Sequence, residues 1–129
     1  MSEKQFVYIA GPYRAGNVAT NIANVIRAAE SVAAAGHIPF APHLNHLWSF
    51  LYPHEHEYWM RLDLAWLTKC SCLIRLPGES PGATEEVLRA RELRIPVYRS
   101  VEEFLVAVGV VAKAETGASS RSVTCNPDG

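Results

Sequence analysis

The stretch that decides the fold is residues 72–90, CLIRLPGESPGATEEVLRA. Its first five residues, 72–76, form a short apolar run that is typical of a buried strand. A loop containing glycine and proline follows, and the pattern after Ser80 predicts a helix. This order of elements puts small residues and a carboxylate at the carboxyl edge of a parallel sheet. Open α/β folds bind their ligands at that edge.

The rest of the chain repeats this alternation of strand and helix. Residues 43–56 are the exception: four histidines and several aromatic residues occur there without a clean period, which predicts a loop with one helical turn. Alternating strands and helices imply a parallel sheet with helices on both of its faces. The predicted strands are residues 6–10, 38–42, 70–76 and 95–98, and the predicted helices are residues 22–33 (stopped by Gly36), 58–69, 81–94 and a last helix from residue 101.

Length and composition indicate one globular domain. The chain has 129 residues, of which 49% are apolar and 19% charged, with a net charge of −1. We predict a domain over residues 1–112 and, because Gly, Ser, Thr and Asn then dominate, a disordered tail over residues 113–129.

Charges of both signs are interspersed, so we expect no nucleic-acid polymer as a partner. No apolar run reaches membrane-spanning length, and three cysteines without a framework spacing suggest reduced thiols, so we expect a cytoplasmic protein without a membrane partner.

The first strand is followed by a loop, GPYRAGN at residues 11–17, that can bind an anion. In a doubly wound sheet this turn directs backbone N–H groups and a helix N-terminus toward the ligand. Arg14 can add a charge-assisted bond to a phosphate. The loop matches neither the G-x-G-x-x-G fingerprint nor the P-loop, which disfavours dinucleotide and NTP-hydrolase functions. An ordinary tight turn with a solvated arginine explains the same residues.

Two carboxylates open the helix that follows Ser80. We expect Glu85 and Glu86 in or near its first turn, where the helix dipole favours acidic side chains whatever their function. If the apolar residues after them face the core, Glu86 points along the sheet edge and Glu85 toward solvent. A helix N-terminus also favours an ionised carboxylate, the form that a nucleophile needs.

Asp63 and the histidines supply the remaining chemistry. Asp63 lies among apolar residues in the middle of a predicted helix, where it either flanks the site as an acid or base, or pairs with Arg61 or Lys69 on the surface. His43 follows the second strand and is the best pocket candidate among the histidines. The histidine spacing fits no zinc signature, so we expect no metal site. The aromatic residues at 48–59 can stack on a flat base or pack at a subunit interface.

Four segments occur in a fixed order along the chain: VYIAGPYR at residues 7–14, PH at 42–43, DLAWL at 63–67 and SPGATEE at 80–86. Over residues 5–100 this ordered set resembles the nucleoside 2-deoxyribosyltransferase-like superfamily, which includes the 2′-deoxynucleoside 5′-phosphate N-hydrolases. The resemblance implies a three-layer α/β sandwich of flavodoxin-like or Rossmann-like type, with a parallel sheet of about five strands. It also implies a homodimer or a larger homo-oligomer.

The resemblance further implies the roles of individual residues. The family's S-x-G-x-x-x-E pattern assigns the nucleophile to Glu86 rather than Glu85, and its D-L-x-W-L helix assigns the second catalytic carboxylate to Asp63. The implied substrate is a nucleoside or nucleotide, and the chemistry uses neither a cofactor nor a metal. The residues implied to bind the substrate are Tyr8, Gly11, Tyr13, Arg14, His43, Ser80 and Gly82.

Four functions remain open at this point. An N-glycosidase would cleave the base–sugar bond of nucleoside 5′-monophosphates through a covalent glycosyl-enzyme intermediate, with water as the acceptor. A deoxyribosyltransferase would pass the sugar to a second base. A nucleotide-binding module would use the same pocket without turnover, and the aromatic segment alone would also fit a scaffold protein.

Overall fold

Four short parallel strands form the central sheet of the protein. The computed structural model describes residues 3–109. The strands are β1 (Phe6–Ala10), β2 (Ile38–Phe40), β3 (Cys72–Arg75) and β4 (Val97–Tyr98), hydrogen-bonded in the order β2-β1-β3-β4. Each predicted strand is confirmed, although β4 has only two residues. The fifth strand implied by the resemblance is absent from residues 3–109, because β4 leads into a helix that ends two residues before the description does.

Five α-helices surround the sheet. They are α1 (Val18–Ala34), α2 (Asn45–Leu51), α3 (His56–Leu67), α4 (Pro81–Glu92) and α5 (Val101–Ala107), and a 3-10 helix at Pro42–Leu44 precedes α2. Helix α2 corrects the predicted loop at residues 43–56. Leu44, Leu47, Trp48 and Leu51 recur at i, i+3, i+4 and i+7, a helical spacing that the prediction of a loop did not use. None of the residues of α2 is buried.

The helices and the sheet form three layers. Alternate residues of β1 point to opposite faces of the sheet, as in any strand. Val7 and Ile9 join a core cluster with α1 and Phe104 of α5, whereas Tyr8 joins a second cluster with α3 and α4. The protein is therefore an α/β domain with α1 and α5 on one face of a parallel sheet and α3 and α4 on the other.

Side-chain caps explain where the helices begin. Asn17 accepts a hydrogen bond from the Thr20 amide at 2.9 Å and thereby caps α1. Ser80 does the same for α4, accepting from the Ala83 amide at 3.1 Å. Such caps satisfy amides that the first turn leaves unpaired, each stabilising its helix by about 1 kcal/mol. At the other end of α1, Gly36 adopts a φ of 95°, which confirms the predicted stop.

The topology places a crevice beside β1. From the carboxyl end of β1 the chain crosses to β2 on one side and later reaches β3 on the other. Ligands bind at such a switch in strand order.

No helix within residues 3–109 has the length and hydropathy needed to cross a membrane. The predicted tail at 113–129 and the predicted domain end at 112 lie outside the described residues.

Candidate functional site

A cleft of about 500 Å³ opens at the carboxyl edge of the sheet. It lies between the loops that follow β1, β2 and β3, with helices α2 and α3 as its outer walls. Its volume is that of a site for a small organic molecule. Most of the predicted site residues line it, and Tyr8 does not; the lining ones are Glu86, Asp63, Gly11, Tyr13, Arg14, His43, Ser80 and Gly82.

Glu86 lies at the floor of the cleft with its side chain almost fully enclosed. Only 6% of its surface is exposed, whereas Glu85 beside it is exposed, so the predicted difference in direction is confirmed. Both residues lie in the second turn of α4 rather than the first, because the helix begins at Pro81. The dipole at the helix start is therefore further from Glu86 than expected.

Tyr8 is placed differently from the prediction. It was expected to contact the substrate, but it is fully buried in β1 and lies behind Glu86 instead of in the cleft wall. Its hydroxyl donates a hydrogen bond to Oε2 of Glu86 at 2.6 Å. Burial, and then the charge of Glu86, raise the pKa of Tyr8 well above its ordinary value, so the phenol keeps its proton and remains a donor.

Asp63 reaches the same cleft from helix α3. It is 8% exposed, and its Oδ1 accepts a long hydrogen bond of 3.5 Å from Nδ2 of Asn45. Among the described residues, neither Arg61 nor Lys69 forms an ion pair with it. Burial raises the pKa of Asp63 to about 7. The surface alternative is thus excluded, and the prediction that Asp63 flanks the site is confirmed.

The environment of Glu86 favours its protonated form, contrary to the expectation of an ionised carboxylate at a helix start. Burial is the largest cause and raises the pKa of Glu86 to about 8. The hydrogen bond from Tyr8 and the positive charge of Arg75 lower it, while the negative charge of Asp63 raises it. Desolvation outweighs the helix dipole because the side chain is enclosed.

Burial raises the pKa of both carboxyl groups. Asp63, with a pKa of about 7, ionises at lower pH than Glu86, with a pKa of about 8, so the pair passes through a state with one proton as the pH rises. The charge of Asp63 is itself one cause of the high pKa of Glu86, so protonation of Asp63 lowers that pKa. The donor hydroxyl of Tyr8 serves Glu86 alone. An ionised Glu86 beside a protonated Asp63 is therefore an accessible state of the pair.

Tyr13 and two histidines form the wall nearest β2. His43 is buried, and its Nε2–H donates to the Pro12 carbonyl at 2.7 Å. Burial lowers the pKa of His43 and outweighs the opposite effect of that carbonyl, so the ring is neutral. The Tyr13 hydroxyl is hydrogen-bonded to Nδ1 of His46, and the Tyr13 ring meets both imidazoles edge to face. This wall is aromatic, and the guanidinium carbon of Arg14 lies 5.8 Å from the centre of the Tyr13 ring.

The N-terminus of α4 and the first loop form the opposite end of the cleft. Ser80 lines the cleft and caps the helix, and its hydroxyl proton stays free for another acceptor. Exposed Arg14 extends from the first loop. Gly11 keeps that loop close to β3: a Cβ there would lie 3.1 Å from Cβ of Leu76. Gly82 also lines the cleft, where an added Cβ would make ordinary contacts with Sδ of Met60 at 3.7 Å and Cε1 of His56 at 3.8 Å.

Part of the cleft lining was not predicted from the sequence. One signal was available, because His56, Trp59, Met60 and Asp63 are spaced i, i+3, i+4 and i+7 and so share one face of α3. Within residues 3–109, no three His, Cys, Asp or Glu side chains are grouped as metal ligands would be. The lining residues that were not predicted include Asn45, His46, Ser49, His54, His56, Trp59 and Met60.

The fold and the cleft define a class: a parallel α/β domain with two buried carboxyl groups in a small-molecule cleft at the carboxyl edge of its sheet. The chain belongs to the family of the domain of unknown function DUF7768, which matches residues 5–100. The matched segment contains every residue of the site described above. In the comparison with curated proteins, none matches the chain.

Proposed function

We propose that the protein is an N-glycosidase that cleaves the base–sugar bond of nucleoside or deoxynucleoside 5′-monophosphates. The observation that carries the proposal is the buried pair of carboxyl groups, Glu86 with its Tyr8 donor at 2.6 Å and Asp63 in the same cleft. A pair of carboxyl groups that shares one proton supplies a nucleophile and a general acid together. Retaining glycosidases use two such groups.

The fold supports the same proposal. The strand order β2-β1-β3-β4 is that of the first four strands of flavodoxin-like domains, and their ligands bind at the switch between β1 and β3. Glu86 and Gly11 line the cleft from the loops and helices that follow these two strands. We therefore assign the domain to the flavodoxin-like type and to the deoxyribosyltransferase-like superfamily that its motifs resemble.

In the first step, a carboxylate oxygen of Glu86 attacks the anomeric carbon of the sugar. A bond forms between Glu86 and that carbon while the bond to the base nitrogen breaks, and the electron pair leaves with the base. Asp63 gives its proton to the departing base and becomes ionised. The transition state resembles an oxocarbenium ion, which the negative charge of Glu86 stabilises. The product is a glycosyl ester of Glu86 and a neutral free base.

In the second step, water attacks the anomeric carbon of the ester. Asp63, now a carboxylate, takes a proton from that water, and the bond to Glu86 breaks to restore the free carboxylate. The released sugar carries the water oxygen. The pair has then regained its single shared proton, and no external acid, base or cofactor is consumed.

Positive and donor groups around the cleft support a substrate with a 5′-phosphate. Ser80 and the first turn of α4 line one end of the cleft, and Arg14 lines it from the first loop, with its guanidinium carbon 5.8 Å from the centre of the Tyr13 ring. Helix N-termini bind phosphate through free amides and the helix dipole, and arginine adds charge-assisted bonds. The aromatic wall of Tyr13 and His46 is suited to the flat base.

The test is an assay of base release over a panel of nucleosides and nucleoside 5′-monophosphates, followed by chromatography. The proposal expects a free base from the monophosphates, abolished by Glu86→Gln and retained by Glu85→Gln, the exposed neighbour. Base release that is equal in both variants, or no release from any substrate, would reject it. Binding without release would instead indicate a nucleotide-binding module, and exchange with an added second base would indicate a transferase.

A further inference from the structure

Arg75, the last residue of β3, lies on the face of the sheet that α4 covers. Alternate residues of a strand point to opposite faces of the sheet. Ile74 belongs to the core cluster on the α1 face, whereas Leu73 belongs with Tyr8 to the cluster on the α4 face. By this alternation Arg75 is on the α4 face as well, the face on which Tyr8 donates its hydrogen bond to Glu86.

The guanidinium of Arg75 binds the loop between β3 and α4. One terminal N–H donates to the carbonyl of Leu76, and the other donates to the carbonyl of Gly78 at 2.9 Å. The planar fork of an arginine can hold two such acceptors in fixed directions. Arg75 is half-buried, and within residues 3–109 it forms no ion pair with a carboxylate. Both of its partners are neutral, so its charge is not cancelled by a direct contact.

The same loop packs against the first loop of the cleft. Gly78 adopts a φ of 115°, and a Cβ there would lie 2.7 Å from Cγ of Pro12, so only glycine fits this contact. The β3–α4 loop is thus held from two sides, by the first loop and by Arg75. It leads directly to Ser80, the residue that caps α4. The position of this loop therefore sets where the helix that carries the nucleophile begins.

Arg75 also acts on the charge of Glu86. Burial is the main cause of the raised pKa of Glu86, and three charged groups act on that pKa as well. Asp63 on α3 and the adjacent Glu85 are negative and raise the pKa, whereas Arg75 is positive and lowers it. The Tyr8 hydroxyl lowers it through a hydrogen bond but carries no charge. A buried carboxylate needs an opposite charge nearby to offset its lost hydration, and Arg75 supplies one.

We propose that Arg75 is a positioning residue for Glu86: it holds the loop that begins α4, and its positive charge stabilises the ionised carboxylate from outside the cleft. This role rests on the proposed function, in which the ionised Glu86 is the attacking group. Arg75 is not part of the cleft lining, whereas Arg14 is, so Arg75 acts on the nucleophile and not on the substrate. A loop tie alone needs only N–H donors; the nucleophile needs the charge.

The test is the titration of the Glu86 carboxyl carbon by ¹³C NMR of the full chain, with the signal assigned by its absence from Glu86→Gln. Arg75→Gln keeps an N–H donor but removes the charge, and Arg75→Lys keeps the charge without the fork. The proposal expects Glu86 to titrate at higher pH in Arg75→Gln than in the natural protein, and Arg75→Lys to stay close to the natural midpoint.

The matched control is Arg89→Gln, which removes an exposed cation from α4 itself. Arg89 pairs with Glu92 at 2.9 Å on the surface, and its loss should leave the midpoint of Glu86 unchanged. A midpoint in Arg75→Gln that equals the natural one would overturn the proposal. A shift of the same size in Arg75→Lys would reject the role of the charge and leave only a loop tie.

A second measurement decides the matter if Arg75→Gln fails to fold, as judged by circular dichroism. The guanidinium signals of Arg75 are followed by ¹⁵N NMR in the natural protein as the pH changes. The proposal expects them to shift with the midpoint of Glu86 and to lose that step in Glu86→Gln. Guanidinium signals that do not respond to the ionisation of Glu86 would contradict it. Neither measurement depends on base release, so this role and the proposed function fail separately.

The rate of base release gives a third readout of the same charge. In Arg75→Gln the rising limb of the pH–rate profile should move to higher pH, with little change in KM, because Arg75 does not line the cleft. Arg75→Lys should keep the natural profile. A rise in KM in Arg75→Gln without any shift of the profile would mean that the residue affects substrate binding and not the nucleophile.

Discussion

The Tyr8 hydroxyl lies 2.6 Å from Oε2 of Glu86 and joins the middle of the central strand to the second turn of α4. The two residues are 78 positions apart in sequence. The contact gives a buried carboxyl oxygen a hydrogen-bond donor, and it holds the side chain that lines the cleft. It is also the one side-chain hydrogen bond that favours the charged form of Glu86.

Removing the Tyr8 hydroxyl should shift the pH dependence of base release. Tyr8→Phe loses the hydrogen bond that lowers the pKa of Glu86. The pKa of Glu86 therefore rises further, and a higher pH is needed to ionise the nucleophile. We expect the rising limb of the pH–rate profile to shift to higher pH and the maximal rate to fall. Tyr98→Phe, which removes a hydroxyl on the opposite face of the sheet, is the control. An unshifted profile in Tyr8→Phe would mean that this contact does not set the charge of Glu86.

Glu86 should make the fold less stable as the pH rises. Its folded-state pKa of about 8 exceeds the value of 4.5 for a free glutamate. Below the unfolded pKa both states are protonated and there is no cost, whereas between the two values the unfolded chain loses a proton that the native state keeps. Above the folded-state pKa the loss of unfolding free energy no longer grows with pH. Asp63, raised from 3.8 to about 7, acts in the same direction.

Glu86→Gln removes this cost without changing the shape of the side chain. We expect the variant to gain unfolding free energy relative to the natural protein between about pH 5 and about pH 9, on the order of a few kcal/mol at about 1.4 kcal/mol per pKa unit. Urea denaturation at both pH values measures it. Glu85→Gln, at an exposed position, should change little. A Glu86→Gln variant whose relative stability is flat over this range would contradict the raised pKa.

Asp63→Asn should slow the departure of the base, because the asparagine cannot donate the proton that the leaving nitrogen takes. We expect a loss of roughly 10²–10⁴-fold in base release, as is usual for a general acid. A substrate with a less basic leaving group needs less protonation and should lose less. Glu57→Gln on the same helix, exposed to solvent, is the control. Equal losses for good and poor leaving groups would argue against proton transfer by Asp63.

Two substitutions at Ser80 separate its structural role from phosphate binding. Ser80→Ala removes the cap of α4 and should destabilise the fold by about 1 kcal/mol. Ser80→Asp keeps a capping oxygen but adds a negative charge at the end of the cleft assigned to phosphate. We expect Ser80→Asp to retain stability, to raise KM for nucleoside monophosphates, and to leave the KM of the corresponding nucleosides unchanged. If both substrates are affected alike, the phosphate does not lie at this end.

Local patterns were sufficient for most of the fold. The strand at residues 6–10 and the helix after Ser80 depend on apolar runs, Gly11 and a capping serine, all of which are encoded within a few residues. Helix α2 was missed although Leu44, Leu47, Trp48 and Leu51 have a helical spacing, because four histidines and several aromatic residues in the same segment obscured that period. The residues themselves predicted four strands, and the described chain contains four; only the expected fifth strand came from the resemblance.

The site was predictable as a set of residues but not as an electrostatic environment. Asp63 and Glu86 line the same cleft from helices α3 and α4, which follow β2 and β3, the two strands on either side of β1. The protonation of Glu86 was not predictable, since burial is a property of the assembled tertiary structure and here exceeds the effect of the helix start. Tyr8 was predicted to contact the substrate, but it lies behind Glu86. Strand alternation indicates which face of the sheet a side chain points to, and does not indicate which partner its hydroxyl reaches.

The most direct test of the account is the detection of a glycosyl ester on Glu86. The protein is mixed with an excess of a nucleoside 5′-monophosphate that releases its base, quenched in acid within one turnover, and examined by intact mass and peptide mapping. The account predicts an added mass equal to one dehydrated sugar phosphate on the peptide that carries Glu86, present in Glu85→Gln and absent in Glu86→Gln. Base release that proceeds without any adduct, at the same rate in Glu86→Gln as in the natural protein, would contradict it.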